Sequence, residues 1–140
     1  KKWPYDISKF TVKPPQECYD NAKRNVITEY AQVRQSIIDI KGCLASGYPI
    51  MFGILIYESF ETPQVDKTGF IPMPSPNERL LGGHAIVCIG YDDEKKVFIV
   101  RNSWGVGWGN DGYGYLPYDY MIDKHLASDL WTIRKTSHNN

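Results

Sequence analysis

The distribution of apolar residues along the chain predicts one main helix. Within residues 33–47, apolar side chains recur at close to helical spacing, at Val33, Ile37, Ile38, Ile40 and Leu44. Gly47 can adopt the left-handed conformation that ends many helices, and Pro49 cannot continue one. We therefore expect a helix over residues 33–47.

Apolar segments on both sides of this helix predict strands. Residues 50–57 are continuously apolar and rich in isoleucine, which is typical of a buried strand. The other predicted strands are 25–30, 84–92, 96–103, 112–121 and 128–135. Residues 1–25 and 61–81, both rich in proline, are expected to be loops. One helix with a predominantly antiparallel sheet makes the predicted fold class α+β.

The composition indicates a single ordered domain over residues 1–140. Hydrophobic residues make up 42% of the chain and aromatic residues 14%, as in ordered globular domains. Lysine plus arginine equals aspartate plus glutamate, 16 each, so the charge favours neither nucleic acid nor an anionic membrane as a partner. No apolar run approaches the ~18 residues that span a bilayer, and the first residues do not resemble a signal peptide. The compartment is left open.

The three cysteines, Cys18, Cys43 and Cys88, do not form a recognisable framework. An odd number argues against a complete set of internal disulfides. Cys18 and Cys43 could pair with each other or with a partner, but their spacing requires neither. No C-x-x-C motif or histidine cluster indicates zinc, so we expect no metal and no cofactor.

A histidine and an asparagine stand at the ends of two neighbouring predicted strands. A neutral imidazole such as His84 acts as a general base only when its tautomer and orientation are fixed, and the Asn102 carboxamide can fix both without adding charge. A histidine held by an amide suits a thiol nucleophile, because the thiolate supplies the negative charge. Trp104 could shield that hydrogen bond from water. Gly82 and Gly83 leave His84 approachable by a substrate backbone.

Each of these features also occurs without catalysis, and a single histidine at a strand start is more often structural. Their order and spacing together are more specific. The segment "GGHAIVCIGYDDEKKVFIVRNSWGVGWGNDGYGYL", residues 82–116, resembles the C-terminal half of papain-like cysteine peptidases around their catalytic histidine and asparagine. The resemblance covers nearly the whole chain and is nearest to prokaryotic and viral members.

The resemblance implies a papain-like right-hand domain, with an antiparallel, barrel-like sheet and one main helix. His84 and Asn102 would be the catalytic residues: the imidazole partner of a thiolate and the residue that orients it. In papain this pairing lowers the thiol pKa to about 3–4. Trp104 would cover the His–Asn hydrogen bond, and Trp108 would line the primed side of the cleft. The implied substrate-binding residues are Gly82, Gly83, Ala85 and Gly53.

The nucleophile of the family is missing from the matching positions. In papain-like enzymes a C-G-[SA]-C-[WY] motif lies about 130–150 residues before the histidine, whereas only 83 residues precede His84. None of the three cysteines is preceded by the C-G-[SA] residues of that motif. We therefore expect a cysteine endopeptidase or exopeptidase whose cysteine lies on an N-terminal partner chain, with a peptide or protein as substrate. The alternatives are a non-catalytic binding or structural module, or an enzyme that uses Cys43 or Cys18 in a rearranged site.

Overall fold

The computed structural model describes residues 2–137, which form six strands and four short α-helices. The strands are β1 (Ile27–Gln32), β2 (Ile50–Tyr57), β3 (Leu80–Asp92), β4 (Val97–Arg101), β5 (Tyr113–Pro117) and β6 (Ala127–Thr136). The α-helices are α1 (Gln16–Ala22), α2 (Ile37–Ala45), α3 (Pro63–Thr68) and α4 (Tyr118–Ile122). The strands form one antiparallel sheet in the order β1-β6-β2-β3-β4-β5, which confirms the predicted α+β class.

Contacts divide the chain into two compact units, residues 1–30 with 134–140 and residues 31–133. In the first unit Ser137 donates from its main-chain nitrogen to the carbonyl oxygen of Val26 at 2.8 Å, and no described residue is buried. The second unit contains the hydrophobic core. That residues 1–140 form one domain stays a prediction.

The core of the second unit lies against one face of the sheet. Side chains alternate along β2, so that Ile50, Phe52, Ile54 and Ile56 are buried while their neighbours are partly or fully exposed. This is the period-two pattern of a strand that is buried on one face, and the strand predicted over residues 50–57 is confirmed. The α2 side chains Ile40 and Leu44 belong to the same core.

The main helix is shorter than its apolar residues predict. It begins after Ser36, whose side chain accepts a hydrogen bond from the main-chain N–H of Asp39, a typical N-cap. Ile38 is 85% exposed, so it does not belong to the buried face, and Val33 is buried from a position before the helix. The helical spacing placed the helix correctly but assigned these two residues to the wrong environment.

Proline marks three of the elements that the sequence prediction placed wrongly. The helix α1 follows Pro15, α3 has Pro63 in its first turn, and α4 follows Pro117, where the predicted strand 112–121 ends early. Proline lacks an N–H and its φ is already helical, so it can both end a strand and begin a helix. The loops predicted over 1–25 and 61–81 therefore contain short helices.

The register of the sheet determines which residues surround the candidate site. His84 on β3 lies opposite Ile54 on β2, and the neighbouring pair is Ala85 with Gly53. On the other side of β2, Gly53 lies opposite Ser128 of β6. The pairing of β3 with β2 and of β2 with β6 therefore brings Gly53 and Ser128, which are far apart in the sequence, close to His84.

Candidate active site

His84 and Asn102 are joined by a direct hydrogen bond. The distance between His84 Nε2 and Asn102 Oδ1 is 2.9 Å. The same oxygen accepts the main-chain N–H of Ser103 at 2.8 Å, which identifies it as the oxygen of the carboxamide. Since an oxygen only accepts, Nε2 of His84 must carry the hydrogen, and Nδ1 of the neutral ring holds the lone pair. Nδ1 is therefore the atom that can take up a proton.

The position of Asn102 is fixed by its main chain and by burial. It follows the last residue of β4, and its main-chain N–H donates to the carbonyl oxygen of Gly112 at 3.0 Å. The residue is only 4% exposed. Burial lowers the local dielectric and so strengthens its hydrogen bond to His84. Its Nδ2 atom is also buried and has no hydrogen-bond partner within residues 2–137.

Three aromatic rings pack next to this pair. The ring of Trp104 lies 5.2 Å from the His84 imidazole between centroids, and it is 43% exposed. Trp108 and Phe60 each contact Trp104 edge to face, at 5.7 Å. Trp108 is itself only 4% exposed and stacks on Phe60, so it supports Trp104 from the core. Whether it also lines a primed side of a cleft stays a prediction.

Close contacts hold the loop that carries the two tryptophans. A Cβ added at Gly114 would lie 2.7 Å from the Trp108 ring, so only glycine lets that ring pack against β5. Arg101 donates from its Nη1 to the carbonyl oxygen of Asp111 at 2.7 Å and lies over the Tyr113 ring. Asn102 therefore projects from a loop that is fixed at both ends.

A cavity of about 330 Å³ lies beside His84. Of the predicted substrate-binding residues, Gly53 and Gly83 line it, whereas Gly82 and Ala85 are their neighbours along the strands. Ala85 lies directly opposite Gly53, but alternation along β3 turns its side chain to the face away from His84. The other wall is formed by residues 124–128.

The three cysteines differ in burial and in their surroundings. Cys88 is fully buried in β3, as its position predicts, and burial raises its thiol pKa to about 12. Cys43 is 6% exposed, with its Sγ 3.5 Å from the carbonyl oxygen of Tyr48. Cys18 lies on α1 and its thiol is free, so the structure does not contain the Cys18–Cys43 pairing left open by the sequence.

Several residues around the site were missed by sequence reasoning. Phe60 supports both tryptophans, and Gln35 donates from Nε2 to the carbonyl oxygens of Met121 and Ala127 at 2.9 and 2.8 Å. Lys124 and His125 line the cavity. Each comes from a loop far from His84 in sequence, and no motif marks it. Only the sheet topology brings them near.

Two classes of feature are not found in the described part of the chain. Residues 2–137 contain no group of three or more histidine, cysteine or acidic side chains that could hold a metal ion. No helix in the same range has the length and apolar character needed to cross a membrane.

The fold and the histidine–carboxamide pair together point to the class of thiol-dependent hydrolases, for the reason that an amide-held imidazole suits a thiol. The family model of papain family cysteine proteases matches residues 1–129. The chain therefore belongs to the papain family, as a papain-family cysteine peptidase domain.

Individual relatives agree with this placement. An uncharacterized peptidase C1-like protein of Acanthamoeba polyphaga mimivirus is 44% identical over 96% of this chain and 46% of its own length. Xylellain, a cysteine protease from Xylella fastidiosa, is 45% identical in its crystal structure, with a TM-score of 0.83 over 88% of this chain and 46% of its own. Ananain of Ananas comosus is 36% identical over 84% of this chain and 32% of its own length. The expected nearness to prokaryotic and viral members is confirmed, and the chain spans less than half of each of these relatives.

Proposed function

We propose that this chain supplies the general base and its orienting residue to a cysteine peptidase that hydrolyses peptide bonds. The observation that carries the proposal is the 2.9 Å hydrogen bond between His84 and Asn102, with the remaining ring nitrogen directed by it to act as the base. The nucleophilic cysteine lies, in this proposal, on a preceding segment or on a partner chain.

The properties of the local cysteines support a nucleophile from elsewhere. The thiolate is the attacking form of cysteine, and a thiol with a pKa of about 12, such as that of Cys88, is protonated at neutral pH. Cys43 is only 6% exposed, and its Sγ lies against the carbonyl oxygen of Tyr48, so a peptide carbonyl carbon cannot reach the sulfur. Cys18 stands in the sequence "PPQECYDN": Tyr19 follows it, but the C-G-[SA] residues that precede the family's nucleophile are absent.

Exposed apolar side chains in the first unit favour an additional piece of protein. Tyr5, Ile7 and Phe10 are 88%, 68% and 82% exposed. Apolar side chains left this far in water commonly mark a surface that another protein element covers. The relatives are about twice as long as this chain, which agrees with such an element.

The mechanism follows from the tautomer. Nδ1 of His84 takes the thiol proton, and the resulting imidazolium and thiolate form an ion pair. Asn102 holds the imidazolium in position by accepting the hydrogen bond from Nε2 of His84. The thiolate attacks the peptide carbonyl carbon, and His84 returns the proton to the leaving amine. Water, deprotonated by His84, then hydrolyses the thioester. Trp104 keeps bulk water away from the His–Asn hydrogen bond throughout.

Peptide hydrolysis by the full-length peptidase tests the proposal. Replacement His84→Ala removes the base, so kcat should fall to the background of the assay while thermal unfolding stays close to that of the parent. An active His84→Ala variant would contradict the assignment. Should the folded full-length protein bind peptides without cleaving any, it would be the non-catalytic module instead.

A further inference from the structure

The cavity beside His84 has two walls of different character. One wall is formed by main chain and small residues, from Gly53 to Leu55 on β2 and by Gly83 and His84 on β3. The other is the turn from Lys124 to Ser128, which leads into β6. A volume of about 330 Å³ is within the range of small ligand pockets.

The turn brings the positive charge of Lys124 and the imidazole of His125 to this cavity. Lys124 and His125 both line it and are exposed, and no aspartate or glutamate lines it. The nearest carboxylate in sequence, that of Asp123, accepts the main-chain N–H of His125 at 2.8 Å. Asp129 accepts the indole N–H of Trp131 at 3.3 Å. Within residues 2–137, no carboxylate forms an ion pair with Lys124.

Lys124 also borders a second cavity, which contains Asp39 and Asp129. Asp39 is already bound by the guanidinium of Arg34 at 2.8 Å and by the Ser36 hydroxyl. Asp129 also carries a negative charge on that side, but among the described residues neither Asp39 nor Asp129 forms an ion pair with the Lys124 ammonium group, which can therefore serve the cavity next to His84.

The turn is held in place, so the cavity is formed before a substrate arrives. Gln35 donates to the carbonyl oxygens on both sides of the turn, Met121 and Ala127. The main-chain N–H of Leu55 donates to the carbonyl oxygen of Leu126 at 2.9 Å. A cavity fixed in this way can discriminate between ligands without first paying for its own ordering.

We propose that this cavity is a substrate subsite that selects an acidic side chain, glutamate or aspartate, near the cleaved bond. The proposal rests on the proposed function, since the cavity is a subsite only if His84 acts on a peptide. A carboxylate in the cavity would lie between Lys124 and His125 and would meet no like charge from the lining residues. A glutamine side chain has the same shape as glutamate but no charge. The difference in kcat/KM between the two peptides therefore measures the electrostatic contribution to selectivity alone.

The experiment compares matched peptides cleaved by the full-length peptidase. The peptides differ only in carrying glutamate or glutamine at one of the three positions before the cut. We expect kcat/KM to be about fivefold higher for glutamate at one of these positions, the size typical of a good pair between exposed charges. The preference should shrink at high salt, because salt screens such charges.

Variants assign the preference to its residues. In the double variant Lys124→Gln with His125→Gln, the ratio of kcat/KM for the glutamate peptide to kcat/KM for the glutamine peptide should fall to near one. The matched control is Lys67→Gln, an exposed lysine on α3 outside the cavity, which should keep the parental ratio. The ratio is taken within each variant, so a partly unfolded sample does not change it.

Two results would overturn the inference alone: a ratio near one at all three positions in the parent, or a glutamate preference that the double variant retains. Failure to cleave any peptide would instead overturn the proposed function, and this inference with it.

Discussion

Asn102 determines which ring nitrogen of His84 carries the hydrogen. Its side-chain oxygen accepts from both Ser103 and His84, so the hydrogen on the imidazole is assigned to Nε2. Both residues could be selected from the sequence, because the spacing between "GGHA" and "RNSWG" is distinctive. Which ring nitrogen of His84 carries the hydrogen could not be predicted from the sequence, since it depends on atomic positions.

Replacement Asn102→Ala should lower kcat/KM of the full-length peptidase by about a hundredfold, because a misoriented base costs roughly that much. Asn102→Asp keeps the acceptor oxygen, so its kcat/KM should lie between that of Asn102→Ala and that of the parent. Asn21→Ala, at an exposed position on α1, is the control and should leave activity unchanged. Equal activity of Asn102→Ala and the parent would refute the orienting role.

At the scale of elements, the loop after β4 carries the tryptophans and depends on close packing. The glycines in "GVGWGNDGYGY" indicate tight turns, but the sequence does not show which glycine contacts which ring. Phe60 was missed for a similar reason, because it reaches Trp104 from a 3₁₀ turn at Glu58–Glu61 that no pattern predicts.

Two Gly→Ala replacements separate packing from backbone effects. Gly114→Ala forces Trp108 to move and should destabilise the protein by about 1–3 kcal/mol, as overpacking does. Gly42→Ala, in the middle of α2 with nothing within 4 Å of the new Cβ, should stabilise it by about 0.5–1 kcal/mol. Thermal unfolding measures both, and a stable Gly114→Ala variant with unchanged tryptophan fluorescence would contradict this packing.

A carboxylate holds the loop that carries Phe60. Hydrogen bonds from Ser59, with a further one from the Ser75 N–H, lower the pKa of Glu78. A lowered pKa means that the ionised form is favoured on folding. The resulting stability is present above the unfolded pKa, about 4.3, and is lost as the pH falls through the folded value.

Glu78→Gln should therefore lower Tm at pH 7, and the difference from the parent should narrow as the pH falls below about 4.3. The control Glu94→Gln changes an exposed glutamate in the β3–β4 turn and should leave Tm unaffected at either pH. A difference for Glu78→Gln that is constant across this range would show that its charge does not hold the loop.

At the scale of the whole molecule, the sequence predicted the sheet well and the surroundings of the site poorly. Strands β2, β3, β4 and β6 coincide with apolar segments of the sequence, because successive side chains of a strand point to opposite faces of the sheet and one face is buried. The strand order β1-β6-β2-β3-β4-β5 depends on long-range pairing, which no local pattern encodes. The basic turn at Lys124 and His125 lies next to His84 only because of that order.

The central proposal also concerns the whole molecule: we propose that His84 on this chain activates a cysteine that lies outside residues 1–140. Alkylation by iodoacetamide reports directly on the thiolate, so its rate as a function of pH gives the pKa of the reacting thiol. Mass spectrometry of the alkylated full-length peptidase then identifies the cysteine.

This alkylation profile is the most direct test. We expect rapid alkylation of a cysteine outside residues 1–140, with a thiol pKa well below 7, and a return to about 8.5 in the His84→Ala variant. Rapid alkylation at Cys18 or Cys43, or a profile that His84→Ala leaves unchanged, would contradict the account.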